Sequence, residues 1–145
     1  VASDQAAAQQ QDWDALPAGT ELMTGEEGIR QLVSEPSVDV VLSAIVGSAG
    51  LIGTWAALQA GKTVDLANKE TLVMAGSLVT KLAAEHGGRI VPVDSEHNAI
   101  FLALQGHRRQ DVKRLVLTAS GGPFRGLPRE KLARVTREQA LDHPN

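Results

Sequence analysis

An α/β chain built on a parallel sheet is what this sequence predicts, and three observations predict it. Apolar, β-branched runs of strand length recur at Val38 to Val46, Thr63 to Ala67 and Arg89 to Val93. Segments of helix length, Leu51 to Ala60 and Leu72 to His86, separate them. Glycine stands just after each of those segments, at Gly61 and at Gly87-Gly88, where a helix is most easily closed. Strand–helix–strand–helix–strand alternation is the pattern of a parallel sheet joined by right-handed crossovers.

Taken in order, Val1 to Gly19 is rich in Ala and Gln and reads as a short helix fading into a loop at Leu16-Pro17-Ala18-Gly19. Thr24-Gly25-Glu26-Glu27 has the arrangement of a capping box, and Ile29, Leu32 and Val33 supply a buried stripe for a helix from about Gly25 to Ser34. Pro36 ends it. The run Val38 to Val46 is so continuously apolar that it predicts a strand buried on both faces. Gly47-Ser48-Ala49-Gly50-Leu51-Ile52-Gly53 follows with the spacing G-x-x-G-x-x-G, so the glycines are expected to serve a tight turn and close helix packing rather than a phosphate loop. Met74, Leu78 and Leu82 stack at four-residue spacing in the next helix. Beyond Val93 come a helix from Ser95 to Gln105, a strand from Val112 to Thr118 and a final helix behind the capping box Thr136-Arg137-Glu138-Gln139.

Composition excludes several function classes. The formal net charge is -3 and basic residues are scattered, so no surface is built for nucleic acid. No apolar run approaches the length of a membrane span, and the opening residues lack a signal-peptide pattern. Absence of cysteine rules out disulfide and thiolate chemistry and fits a reducing compartment.

Chemistry-bearing residues gather after the predicted strands. Asp94 and Glu96, in Val93-Asp94-Ser95-Glu96-His97, are two residues apart, and on an extended chain they would project to the same side. Such a pair of hard oxygen ligands suits Mg²⁺ or Mn²⁺; equally, two solvated acids can cap the helix that begins near Ser95. Ser95 is itself a good helix cap, and His97 could bind metal or could pack and support a neighbour. Asn68-Lys69-Glu70 falls at the carboxyl end of a strand, where open α/β sheets place ligands, yet by itself reads as a polar loop. Ser120-Gly121-Gly122 offers a hydroxyl and flexible amides to an anion, or is only a turn.

Four pieces in this order, Leu66-Ala67-Asn68-Lys69-Glu70, Val93-Asp94-Ser95-Glu96-His97, Leu117-Thr118-Ala119-Ser120-Gly121-Gly122-Pro123-Phe124-Arg125 and His143-Pro144-Asn145, resemble the 1-deoxy-D-xylulose 5-phosphate reductoisomerase family from about Val38 onward. The resemblance implies a Rossmann-like parallel sheet over residues 1–93, the second half of an NADPH-binding domain, followed over 94–145 by the start of an α+β catalytic domain. It implies Asp94 and Glu96 as metal ligands and Asn68 and Glu70 as cofactor contacts. Lys69, Ser95, Glu96, Ser120 and His143 become substrate contacts, with Lys69 and Glu96 catalytic. The implied reaction takes the phosphosugar 1-deoxy-D-xylulose 5-phosphate to 2-C-methyl-D-erythritol 4-phosphate with NADPH and Mg²⁺ or Mn²⁺, in isoprenoid biosynthesis.

Further implications are a homodimer in a bacterial cytoplasm or plastid-type organelle, without nucleic-acid or membrane partners. Relative to the family, the Gly-rich phosphate loop and a third metal carboxylate are missing, so the chain is expected to be an inactive piece of a longer enzyme. Two rival functions are another NAD(P)-dependent sugar-phosphate or semialdehyde dehydrogenase, which needs no metal at Asp94 and Glu96, and a non-catalytic α/β binding module.

Overall fold

Three short strands, β1 (Val40–Ser43), β2 (Thr63–Leu66) and β3 (Arg89–Pro92), pair in parallel in the order β1-β2-β3. The computed structural model describes residues 4–142. Rungs of the sheet align Ser43 with Leu66 and Leu66 with Pro92. All three strands are shorter than the apolar runs that announced them.

The α/β class is as expected. Helices α1 (Gln5–Gln10) and α2 (Gly25–Ser34) precede the sheet; α3 (Gly50–Gln59) and α4 (Lys69–His86) connect its strands, and α5 (Ser95–Leu104) follows it. A 3-10 turn, Gly47–Ala49, leads into α3. Helix α3 is hydrophobic nearly all round, with Ala57 and Leu58 fully buried between α2, α4 and the sheet. Val64 and Leu66 of the central strand meet this layer together with Val79, Leu82 and Ala83 of α4. Inside it Ser43 and Thr54 satisfy one another through a hydroxyl–hydroxyl bond of 2.8 Å.

Several expectations are corrected. The first strand was expected to be buried on both faces, but Val40 and Leu42 are 53% and 65% exposed. The helices cover only the face that carries Val41, Ser43, Val64 and Leu66. In α4 the buried positions are Thr71, Ala75, Val79, Leu82 and Ala83, whereas Met74 and Leu78 lie outside. Thr71, Ala75, Val79 and Ala83 keep four-residue spacing through the non-helical backbone at Ala75 (φ -138°, ψ 23°), so packing against α3 and β3 selects a different stripe of α4 from the one that its large apolar residues mark. Thr24 precedes α2 without the side-chain hydrogen bond that a capping box requires, and Leu32 is exposed. Helix α4 also begins three residues earlier than expected, so Lys69 and Glu70 belong to its first turn, not to a loop.

The chain divides into two compact units, Val1–Gln105 and Gly106–Asn145. The second unit holds α6 (Arg129–Leu132), α7 (Arg137–Leu141) and two 3-10 turns, with α7 packed on the turn Gly122–Phe124. Thr136 and Gln139 form the expected capping box. The expected strand from Val112 to Thr118 is absent: those residues are irregular, and Leu115, Val116 and Leu117 are 58–65% exposed. A strand needs a neighbour to complete its ladder, and none pairs with this run among the described residues. Nor is any described helix long and apolar enough to cross a membrane.

Candidate functional site

The register of the sheet brings three segments to one end. Ile45, Asn68 and Asp94 each lie two residues beyond the aligned rung Ser43, Leu66 and Pro92, at the carboxyl ends of their strands. Open α/β sheets bind ligands there.

Asn68 is the N-cap of α4 and is 3% exposed. Its Oδ1 accepts from the Thr71 amide at 2.8 Å and from the Thr71 hydroxyl at 2.7 Å. Its Nδ2 donates to the Gly47 carbonyl at 2.9 Å and to the Ile45 carbonyl. Every hydrogen-bonding position of the amide is thus engaged within the protein. Lys69 stands exposed beside it and Glu70 is half-buried, both on the first helical turn.

Asp94 caps α5 in the same manner. Its Oδ1 accepts from the His97 amide at 3.0 Å, and its Oδ2 pairs with His97 Nδ1 at 2.8 Å. The Asp94 side chain is 10% exposed and the His97 ring 47%. Burial pushes the Asp94 carboxyl up, but the His97 amide and ring together with the Glu96 amide outweigh it and hold the group below its ordinary value of 3.8. Ser95, expected as a possible cap, is instead the first helical residue, and it is exposed along with Glu96.

The geometric premise for a shared cation therefore changes. Asp94 alone keeps an extended backbone (φ -62°, ψ 154°), because its bond to the His97 amide starts the helix at the very next residue. Glu96 projects from the first turn of α5 instead of alternating along a strand. Among the described residues no group of three or more His, Cys, Asp or Glu side chains gathers around one point. The donor chemistry nevertheless fits a hard divalent cation. Each Asp94 oxygen has a second lone pair, Glu96 is open to solvent, and His97 supports Asp94 as outer-shell histidines support carboxylate ligands.

In the second unit, Ser120 is exposed and its Oγ accepts from the Gly122 amide at 3.2 Å. Gly121 and Gly122 both take positive φ, 87° and 53°, so the turn belongs to glycine. His143 lies outside the described residues. Two participants escaped sequence reasoning. The Ile45 carbonyl faces Asn68 across a fold contact that no local spacing reveals, whereas Thr71 stands three residues after Asn68, a spacing that an N-cap can use.

Family profiles match both parts of the chain in order. The profile described as 1-deoxy-D-xylulose 5-phosphate reductoisomerase covers residues 1–76, and that of the 1-deoxy-D-xylulose 5-phosphate reductoisomerase C-terminal domain covers 90–145. The chain belongs to the 1-deoxy-D-xylulose 5-phosphate reductoisomerase family. The reductoisomerase of Oleidesulfovibrio alaskensis is 59% identical over 132 residues, which are 90% of this chain and 32% of that protein. That of Halalkalibacterium halodurans is 52% identical over 130 residues, 90% of this chain and 34% of that protein. Among solved structures, a DOX-P reductoisomerase in complex with NADPH, fosmidomycin and magnesium matches with a TM-score of 0.65 and 46% identity, over 87% of this chain and 33% of that one. The Zymomonas mobilis reductoisomerase in complex with NADPH matches with a TM-score of 0.63 and 47% identity, over 81% of this chain and 31% of that one. The reductoisomerase-family chain thus spans about a third of the length of the relatives it matches.

Proposed function

We propose that the protein carrying this chain converts 1-deoxy-D-xylulose 5-phosphate to 2-C-methyl-D-erythritol 4-phosphate, using NADPH and Mg²⁺ or Mn²⁺. The observation that carries this reading is the shared register of Asn68 and Asp94. It brings the Lys69–Glu70 turn and the Ser95–Glu96 turn to one end of the sheet in a chain of the reductoisomerase family.

Asp94 and Glu96 are the residues that would hold the metal, as two ligands of a set that the described residues do not complete. When bound, the metal would supply a Lewis acid that stabilises oxyanion character on the substrate, and NADPH would supply hydride. Lys69, exposed on the first turn of α4, adds positive charge where oxyanion character develops, a form of electrostatic stabilisation that gains strength as water is excluded. Glu70 serves the cofactor side of the same turn, and Asn68 shapes that side. Ser95 has no capping duty, so its hydroxyl is available to the substrate. Ser120 accepts from the Gly122 amide and keeps its own O–H to donate to the phosphate. His143 enters as a further substrate contact on the resemblance alone. The same reading carries a homodimer in the cytoplasm of a bacterium or in a plastid-type organelle.

Mixing the protein with 1-deoxy-D-xylulose 5-phosphate, NADPH and Mg²⁺ and following NADPH absorbance tests the reading. The expected result is consumption that requires all three components. Consumption that survives exhaustive chelation overturns the metal assignment and fits a metal-independent dehydrogenase instead. NADPH binding without turnover would leave only a binding module.

A further inference from the structure

We infer that Asn68 is a positioning residue: its buried amide clamps the turn from Ile45 to Gly50 against the first turn of α4, and so sets where Lys69 and Glu70 stand. The inference rests on the proposed roles of Lys69 and Glu70.

Capping a helix requires an acceptor only, and Asp4 and Asp94 cap α1 and α5 with carboxylates. Asn68 does more. Besides accepting twice from Thr71, it donates both amide hydrogens, to the carbonyls of Ile45 and Gly47. An aspartate or serine cannot make that set of bonds, because neither carries two N–H donors beside an acceptor. The partners also determine which way the amide faces, since Thr71 offers an N–H where Ile45 and Gly47 offer carbonyls. Gly50 closes the turn over it. A Cβ at Gly50 would lie 2.6 Å from the Ile45 carbonyl and 2.9 Å from Asn68 Cγ and Nδ2, so a side chain there would prise the clamp open.

The place of the clamp gives it its consequence. Beyond Ala75, the helix is held to the core through Val79, Leu82 and Ala83. Ahead of Ala75, its first turn is held through Leu72 and through the fully buried Thr71, which Asn68 itself bonds. Asn68 thus fixes the turn at its N-terminal end, where Lys69 and Glu70 follow immediately.

Two variants of the full-length protein test the clamp. Asn68→Asp keeps the size and the acceptor toward Thr71 but turns a carboxylate oxygen toward the two carbonyls. Thr71→Val removes one hydroxyl donor from a residue that is 0% exposed. The expected result for Asn68→Asp is a rise of about tenfold in both the NADPH dissociation constant and the substrate KM, the scale set by losing two part-buried hydrogen bonds. Thr71→Val should move both constants in the same direction by a smaller factor. Amide hydrogen exchange should quicken together at residues 45–50 and 69–71 in either variant while the β1–β3 amides keep their protection.

Loss confined to NADPH, with unchanged KM and unchanged exchange, would make Asn68 a direct cofactor contact and overturn the clamp. So would a silent Thr71→Val, which also decides the matter should Asn68→Asp fail to fold. Wild-type protein that neither binds NADPH nor turns over substrate counts against the proposed function instead, and the exchange measurement still decides the clamp.

Discussion

Asn68 and Asp94 each lie two residues beyond the aligned rung Leu66 and Pro92, and each accepts a hydrogen bond from the backbone amide three residues later. There the likeness ends. Asn68 is buried and spends both its donors on the loop after β1, whereas Asp94 has no donor to spend and is supported by a half-exposed histidine. A cap that can donate ties two pieces of chain together; a cap that can only accept leaves lone pairs for an outside partner. The difference teaches that one carboxylate oxygen exchanged for an amide nitrogen decides whether a cap at this place in the sheet can tie a second segment down.

The largest expected effect breaks the ligand side of this comparison. Asp94→Asn keeps a good helix cap but removes the charge that would hold a cation, so turnover of the intact enzyme should fall by about a hundredfold or more with the fold retained, the scale of lost Lewis-acid stabilisation. Rates titrated against Mg²⁺ and circular dichroism read the two arms; a wild-type rate in the variant sinks the metal role.

Next come the two residues that the Asn68 turn presents. Glu70→Ala should weaken NADPH more than substrate, and Lys69→Ala should do the reverse, each by roughly tenfold for one lost charged contact. Titrating both ligands into both variants checks this. Equal losses throughout would mean that the turn is structural.

Stability sharpens the scaffold side. Asn68→Ala removes a cap and orphans two part-buried carbonyls, for a cost of about 2–4 kcal/mol, while Asp94→Ala loses a cap and an exposed pairing with the His97 ring, about 1 kcal/mol. Chemical denaturation of both variants gives the ranking, and a costlier Asp94→Ala would reverse the comparison.

The smallest effect concerns pH. The Asp94 carboxyl is held below its ordinary 3.8, so the stability it contributes is present above that pH and is lost as pH falls through the lowered folded value. His97→Ala removes the ring but leaves the amide, so the Asp94 pKa should rise part of the way back. An NMR titration of the Asp94 carboxyl shows whether it moves, and an unmoved pKa would mean that the ring contributes nothing.

Local order was legible without tertiary information. Helix α2 begins and ends where its composition said, Gly87 closes α4 in the left-handed conformation at φ 71°, and Thr136 and Gln139 form their capping box. These features depend on near neighbours and on the backbone freedom of single residues, which are written in the chain itself. The parallel sheet followed from alternation for the same reason. What only the tertiary structure decided was which groups meet at a distance. The partnership of Asn68 with Ile45 and Gly47 spans more than twenty residues, and no periodicity signals it. Burial in α4 falls on Thr71, Ala75, Val79 and Ala83 and not on Met74 and Leu78, since packing against α3 and β3 chooses which face of the helix turns inward. Val112 to Thr118 has strand composition but no partner among the described residues, and a strand exists only where another chain segment completes its hydrogen bonds.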